Sequence, residues 1–348
     1  MQIGLAHLLP GATRLTGDET GVNETYRGVV ETASDKRLAY VKLLPAKQLV
    51  NEIVCSVLGR SIGLPIPEGF LVAVLRDNYP DSPALQAHDL NDALGFGVVS
   101  LPHPDLRRRI KVQGVTVIDQ FIRSWTGWRE AMTFDEWVAN RDRNQGNLLV
   151  GAEGDVWLID HGHAFTGPNW MAADLQPGVS VPNQIADNIV PTLMLSQRHA
   201  AWQLVQQLAA QYAAVDIENI LKLSRCDALL QSPDAIALRD FLKLRTGELL
   251  RLIGQRLGLP VIERTICCQL LQMTLLNFQP GAARARQTGH PFTSNLLLDQ
   301  ASGYARQLWP EMTVGSLWYR FHRWIACHVC TGRRLRHYLL RMTSLLTR

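Results

Sequence analysis

Asp142, Asn147 and Asp160 stand close together in the middle of the chain, and all three carry side-chain oxygen atoms. Between the last two, Leu148-Leu-Val150, a turn at Gly151-Ala-Glu-Gly-Asp155 and Val156-Trp-Leu-Ile159 read as a β-hairpin. If Leu148 pairs with Ile159 and Val150 with Trp157, Asn147 faces Asp160, with side-chain roots about 4.5–5.5 Å apart. A carboxylate and an amide oxygen at that separation can share one divalent cation. Hard oxygen ligands of this kind suit Mg²⁺, which keeps few protein ligands and takes phosphate oxygens for others. Asp142, flanked by Arg141 and Arg143 on the loop feeding the hairpin, can orient an attacking hydroxyl from across a nucleotide. Upstream, Lys42 and Glu52 supply an ion pair in which Lys42 holds α- and β-phosphates and Glu52 holds Lys42. Phosphoryl transfer needs charge neutralised around the phosphates and an aligned nucleophile, and these five residues have the types for it.

The elements that must position them follow from local pattern. Leu38-Ala-Tyr-Val-Lys-Leu-Leu44 reads as a strand, and residues 16–28 before it read as a turn-rich loop between strands. A helix is expected from about Gln48 to Ile62, stopped by Gly63, Pro65 and Pro67. Residues 77–91 are polar and read as a surface loop. Thr133-Phe-Asp-Glu136 has the form of a capping box opening a short helix through Ala139. From Ser196 onward helices dominate. One has Trp202, Val205, Ala209 and Tyr212 on a face; another starts at Ser232-Pro233, contains Ile236, Phe241 and Leu249, and ends at Gly258-Leu-Pro260. Strands with one helix, a hairpin and then helices predict a two-lobed α+β protein.

Residues 38–165 resemble the HipA-like kinases, relatives of the protein kinases and phosphatidylinositol kinases. The resemblance is carried by Tyr40-Val-Lys42, Asn51-Glu52, Leu58-Gly-Arg-Ser-Ile-Gly-Leu-Pro-Ile-Pro67, Asn140-Arg-Asp-Arg-Asn-Gln-Gly-Asn147 and Trp157-Leu-Ile-Asp-His-Gly-His-Ala-Phe165. It implies a small N-lobe over about 1–100 and a helical C-lobe over 101–262. It also implies that Lys42 and Glu52 bind ATP, that Asp142 is the catalytic base, and that Asn147 and Asp160 hold Mg²⁺. The implied acceptor is a Ser/Thr hydroxyl of a protein; the relatives also suggest lipid or small-molecule acceptors, and an inactive nucleotide-binding module is the rival. The sequence departs from the pattern in three places. No Gly-x-Gly-x-x-Gly loop precedes Lys42, the Lys42-to-Glu52 interval is short, and position 144 is Asn where relatives often have His.

Composition bounds the rest. With 348 residues, 47% of them hydrophobic and 19% charged, the chain is globular rather than disordered or fibrous. It contains no apolar run long enough to span a bilayer, and Met1-Gln-Ile-Gly-Leu-Ala-His7 lacks the basic region and long apolar stretch expected of a secretion signal. Six cysteines are too few for a disulfide scaffold, and a reducing, cytoplasmic setting is expected. The net charge of +4 is unevenly distributed. Residues 264–348 hold eleven Arg, no Lys and two acids, leaving 24 basic and 29 acidic residues in 1–263. The segment 263–348 is therefore expected to be a basic, mostly helical C-terminal appendage, unlike any recognised unit. Its arginines, interleaved with Trp318, Tyr319, Phe321, Trp324 and Tyr338, could contact nucleic acid, an anionic surface or the acidic remainder of the chain. Cys327 and Cys330 have a spacing found in zinc sites, which a helix with packed thiols satisfies equally well. His161 and His163 beside Asp160 raise the same alternative, zinc against local packing.

Overall fold

The computed structural model describes residues 2–16, 23–87, 92–114, 121, 124–151 and 154–259. The expected appendage over 263–348, with Cys327 and Cys330, lies outside the described residues.

The N-terminal part is β-rich and the C-terminal part helical, a mixed α+β chain. Strands β1 (Gly4–Leu8), β2 (Thr13–Arg14), β3 (Thr25–Thr32), β4 (Lys36–Leu43), β5 (Gly69–Leu75) and β6 (Asp92–Val99) form one sheet in the order β1-β5-β6-β4-β3-β2. β1 also pairs with β3, Leu8 opposite Val30, so five strands close on themselves and lose their free edges. Leu8, Tyr26, Val30, Val41, Phe70 and Val72 fill the interior. The alternation that buries Ala39, Val41 and Leu43 in β4 places Tyr40 and Lys42 on the opposite face.

Two expectations about loops are corrected here. Residues 25–28 belong to β3, because Tyr26 turns inward and packs its ring against Tyr79 at 4.9 Å. Within 77–91, a 3₁₀ turn covers Arg76–Asn78, and α2 (Pro83–Ala87) drops the fully buried Leu85 into the sheet interior. In both cases one inward apolar side chain stabilises structure that a polar local composition conceals.

α1 (Ala46–Ser61) starts directly after Pro45 and buries every residue from Gln48 to Gly59. A helix buried all round must sit between two layers; α1 lies against β5 and β6 and joins the core of the helical part. That part contains α3 (Leu106–Gln113), α4 (Trp128–Trp137), the hairpin β7 (Leu148–Val150) and β8 (Val156–Leu158), α5 (Gln184–Ile189), α6 (Leu195–Ala213), α7 (Ile217–Leu223), α8 (Cys226–Leu229) and α9 (Ser232–Arg256). Trp137 ties three of them together, stacking on Tyr212 of α6 at 4.6 Å and donating its indole N–H to Leu242 O of α9. The buried face of α9 runs through Leu238, Phe241, Leu242 and Leu249, while Ile236 is half exposed.

The Thr133-Phe-Asp-Glu136 expectation also fails. These residues lie inside α4, whose N-cap is Gly127, and the Thr133 hydroxyl donates to Arg129 O in the preceding turn. Asp135 and Glu136 are buried counter-ions rather than capping groups. Among the described residues, no helix is long and apolar enough to cross a membrane.

Candidate active site

Lys42 leaves β4 on the face that meets α1, and Pro45 starts that helix only two residues after the strand ends. The short interval therefore suffices: Lys42 Nζ lies 3.4 Å from Glu52 Oε1. The same ammonium lies 3.0 Å from Asp160 Oδ2. The second Glu52 oxygen accepts the backbone N–H of His161 at 2.8 Å. Glu52 thus grips the lysine and the segment carrying Asp160 at once. Burial pushes Glu52 up to about 7 against the opposing pull of Lys42. For Asp160 burial acts the same way but the Lys42 ammonium overcomes it, holding the carboxyl down at about 2. Lys42 itself is raised above its usual range, because Glu52 and Asp160 together outweigh its burial.

The hairpin exists where expected, but its register is one residue different. Leu148 pairs with Leu158, Leu149 with Trp157 and Val150 with Val156. Asn147 consequently faces Ile159, whose N–H donates to Asn147 O at 3.1 Å. Asp160 lies one residue beyond the pair in the left-handed region, at φ 58°. That turn, absent from any alternating-strand pattern, aims the carboxylate at Lys42 instead of directly across at Asn147. The Asn147 amide nitrogen donates to Asp142 O, binding the hairpin's first residue to the loop before it.

The loop carrying Asp142 hangs on a buried pair that local pattern did not reveal. Arg143 and Asp135 are both fully buried and joined by two bonds of 3.0 Å, Nε to Oδ2 and Nη2 to Oδ1. Arg143 Nη1 also donates to Ile159 O at 2.5 Å and Asn147 O at 3.3 Å. Asp135 Oδ1 accepts from Asn140, whose own oxygen receives the Asp142 N–H. One ion pair therefore sets the loop and the Asp160 strand against each other. Asn144, the departure from the family pattern, donates to Asp142 Oδ1 at 3.0 Å and so fixes the direction of that carboxylate.

Asn51, beside Glu52 on α1, has a structural role of its own. Completely buried, it donates to Gly162 O, Ala164 O and Gly167 O and accepts the indole N–H of Trp170. A Cβ at Gly162 would come within 2.8 Å of Gln48 Nε2, so a larger residue there would require the Gln48 side chain to shift. His161 turns inward and packs edge-on against Phe134 at 5.9 Å, the local-packing alternative for this residue. Among the described residues, no group of three or more His, Cys, Asp or Glu side chains could hold a metal ion. A polar residue inside an apolar helical run (Asn51, Asp135, Glu136) was the available sequence signal for these missed positions.

The family model for HipA-like kinases matches residues 19–214. The chain belongs to the HipA-like kinase family. Among solved structures, this HipA-like kinase is similar to the proinflammatory kinase CtkA of Helicobacter pylori. The two are 12% identical with a TM-score of 0.46, over 72% of this chain and 98% of that one. No curated protein matches the sequence.

Proposed function

We propose that this HipA-like kinase is an ATP- and Mg²⁺-dependent phosphotransferase that phosphorylates Ser or Thr hydroxyls of a protein. In this reading the β-rich part and the helical part act as two lobes, with the reaction between them. The observation that carries it is the three-way contact of Lys42 with Glu52 and Asp160, which joins β4, α1 and the segment after the hairpin.

The donor set fits the cation. Asp160 is ionised and its side chain is 37% exposed, so one hard anionic oxygen is open to a ligand. Asn147 spends its side-chain nitrogen on Asp142 O, which leaves its side-chain oxygen Oδ1 as an acceptor. Two oxygen ligands with room for phosphate oxygens are what Mg²⁺ prefers. Bound Mg²⁺–ATP supplies the phosphoryl group and the neutralisation of its charge. Lys42 holds the anionic phosphates, Glu52 keeps the lysine extended, and Asp142 accepts the proton of the acceptor hydroxyl. Asn144 keeps the Asp142 carboxylate aimed, and Arg143 keeps its loop in place.

Asp142→Asn and Asp160→Asn test the roles by transfer of labelled γ-phosphate. Loss of a general base costs about 10²–10⁴-fold. Both variants are expected to fall by at least about 10²-fold, Asp142→Asn while retaining the wild-type melting profile. Full transfer in both refutes the assignment.

A further inference from the structure

The loop around Asp142 carries positive charge that the reaction above leaves unused. α3 contains Arg107, Arg108, Arg109 and Lys111, and seats itself through the buried Leu106 and the Asp105 cap. Arg107 is exposed and its Nη2 donates to Asn144 Oδ1 at 3.0 Å. Asn144 in turn bonds the Asp142 carboxylate, so a single side chain separates the Arg107 guanidinium from Asp142. Next to Asp142 in sequence, Arg141 is exposed too, with Nη1 on Thr166 O at 3.1 Å. Among the described residues, neither guanidinium has a carboxylate within ion-pair distance. Arg143, Arg245 and Arg256, by contrast, are matched to carboxylates inside the fold. The phosphates already have Lys42, on β4. Two exposed, uncompensated guanidiniums beside the acceptor's base are suited to carboxylates arriving with the acceptor, which arginine binds through paired N–H groups. A membrane-facing helix needs an apolar face beside its charges; α3 exposes a single large apolar side chain, Val112.

We propose that the acceptor is a polypeptide whose Ser or Thr is flanked by Asp or Glu, with Arg107 and Arg141 binding those carboxylates. The proposal rests on the kinase reading and adds the charge of the substrate to it.

The test uses the full chain, Mg²⁺–ATP and two serine peptides of equal length, one with Asp and Glu around the serine and one with Gln and Ala. An exposed ion pair contributes up to about fivefold, so two pairs are expected to lower KM for the acidic peptide by up to about 25-fold. Arg107→Glu and Arg141→Glu should each shrink the acidic-to-neutral ratio. Taken within each variant, that ratio is independent of the variant's overall rate. Salt at about 0.5 M should shrink it as well. Equal KM for the two peptides, or ratios unchanged in both variants, overturns the proposal while Asp142-dependent transfer to the neutral peptide leaves the kinase reading standing. Preference for inositol-lipid vesicles over the acidic peptide assigns the basic surface to a lipid and also overturns it. No transfer to any of the three acceptors overturns both readings.

Discussion

Replacing Asp135 by asparagine keeps the shape of the side chain and removes its charge. Arg143 is then left fully buried without a counter-ion, still bonded to Ile159 O and Asn147 O. Breaking a buried ion pair on one side costs about 3–5 kcal/mol, because the surviving charge keeps its desolvation penalty. For a folded unit of this size that corresponds to a fall in Tm of about 6–20 °C. Thermal melts of wild type and variant measure it. The companion variant, Asp135→Leu with Arg143→Met, removes both charges at similar volume and is expected to recover most of the stability. It is not expected to recover phosphate transfer. The arginine bonds that hold Ile159 and Asn147 beside the Asp142 loop are gone in that variant. A Tm change under about 2 °C for Asp135→Asn, or a double variant with full activity, refutes the view that this pair positions the site.

Two further outcomes are expected. Glu52 is raised from 4.5 to about 7, so between those values the folded chain holds a proton that the unfolded chain has released. Its contribution to stability is then complete below pH about 4.5 and is lost as pH rises through about 7. Glu52→Gln should abolish this fall, and denaturant titrations from pH 4 to 8 that run parallel for the two proteins contradict it. Asp160, held at about 2, acts in the opposite sense and only at more acid pH, where its contribution is lost as pH falls. Asn51→Leu removes the partners of three carbonyls and one indole N–H in the 162–170 segment, at about 1–3 kcal/mol for each group left buried and unsatisfied. Hydrogen exchange across residues 162–170 should accelerate at least about tenfold; unchanged protection there refutes the role of Asn51.

Much of the site could be read from the order of residues, because the relevant signals were local. A strand's two-residue period placed Lys42 on the face opposite the buried Val41 and Leu43, and an apolar helical pattern with Pro stops delimited the helix carrying Glu52. Two short apolar runs around a glycine turn were enough for the hairpin and for the neighbourhood of Asn147 and Asp160. Register was different. A shift of one residue leaves the apolar pattern of such short strands acceptable, and the left-handed backbone at Asp160, whose carboxylate meets Lys42, has no place in an alternating-strand pattern.

Partners of buried charges were beyond sequence for a related reason. Glu136 looked like the end of a capping box, yet its carboxylate meets Arg245 and Arg256 on α9. Asn51 is bonded to a segment more than a hundred residues further along the chain. A buried charge or amide must find a partner to offset its desolvation, but nothing local says where on the chain that partner stands. Residue types and elementary periodicities thus settled which groups could do chemistry and on which elements they ride. Only the packing of α1 against the segment after the hairpin and against α4 decided which of them meet, since that depends on surfaces brought together from distant parts of the chain.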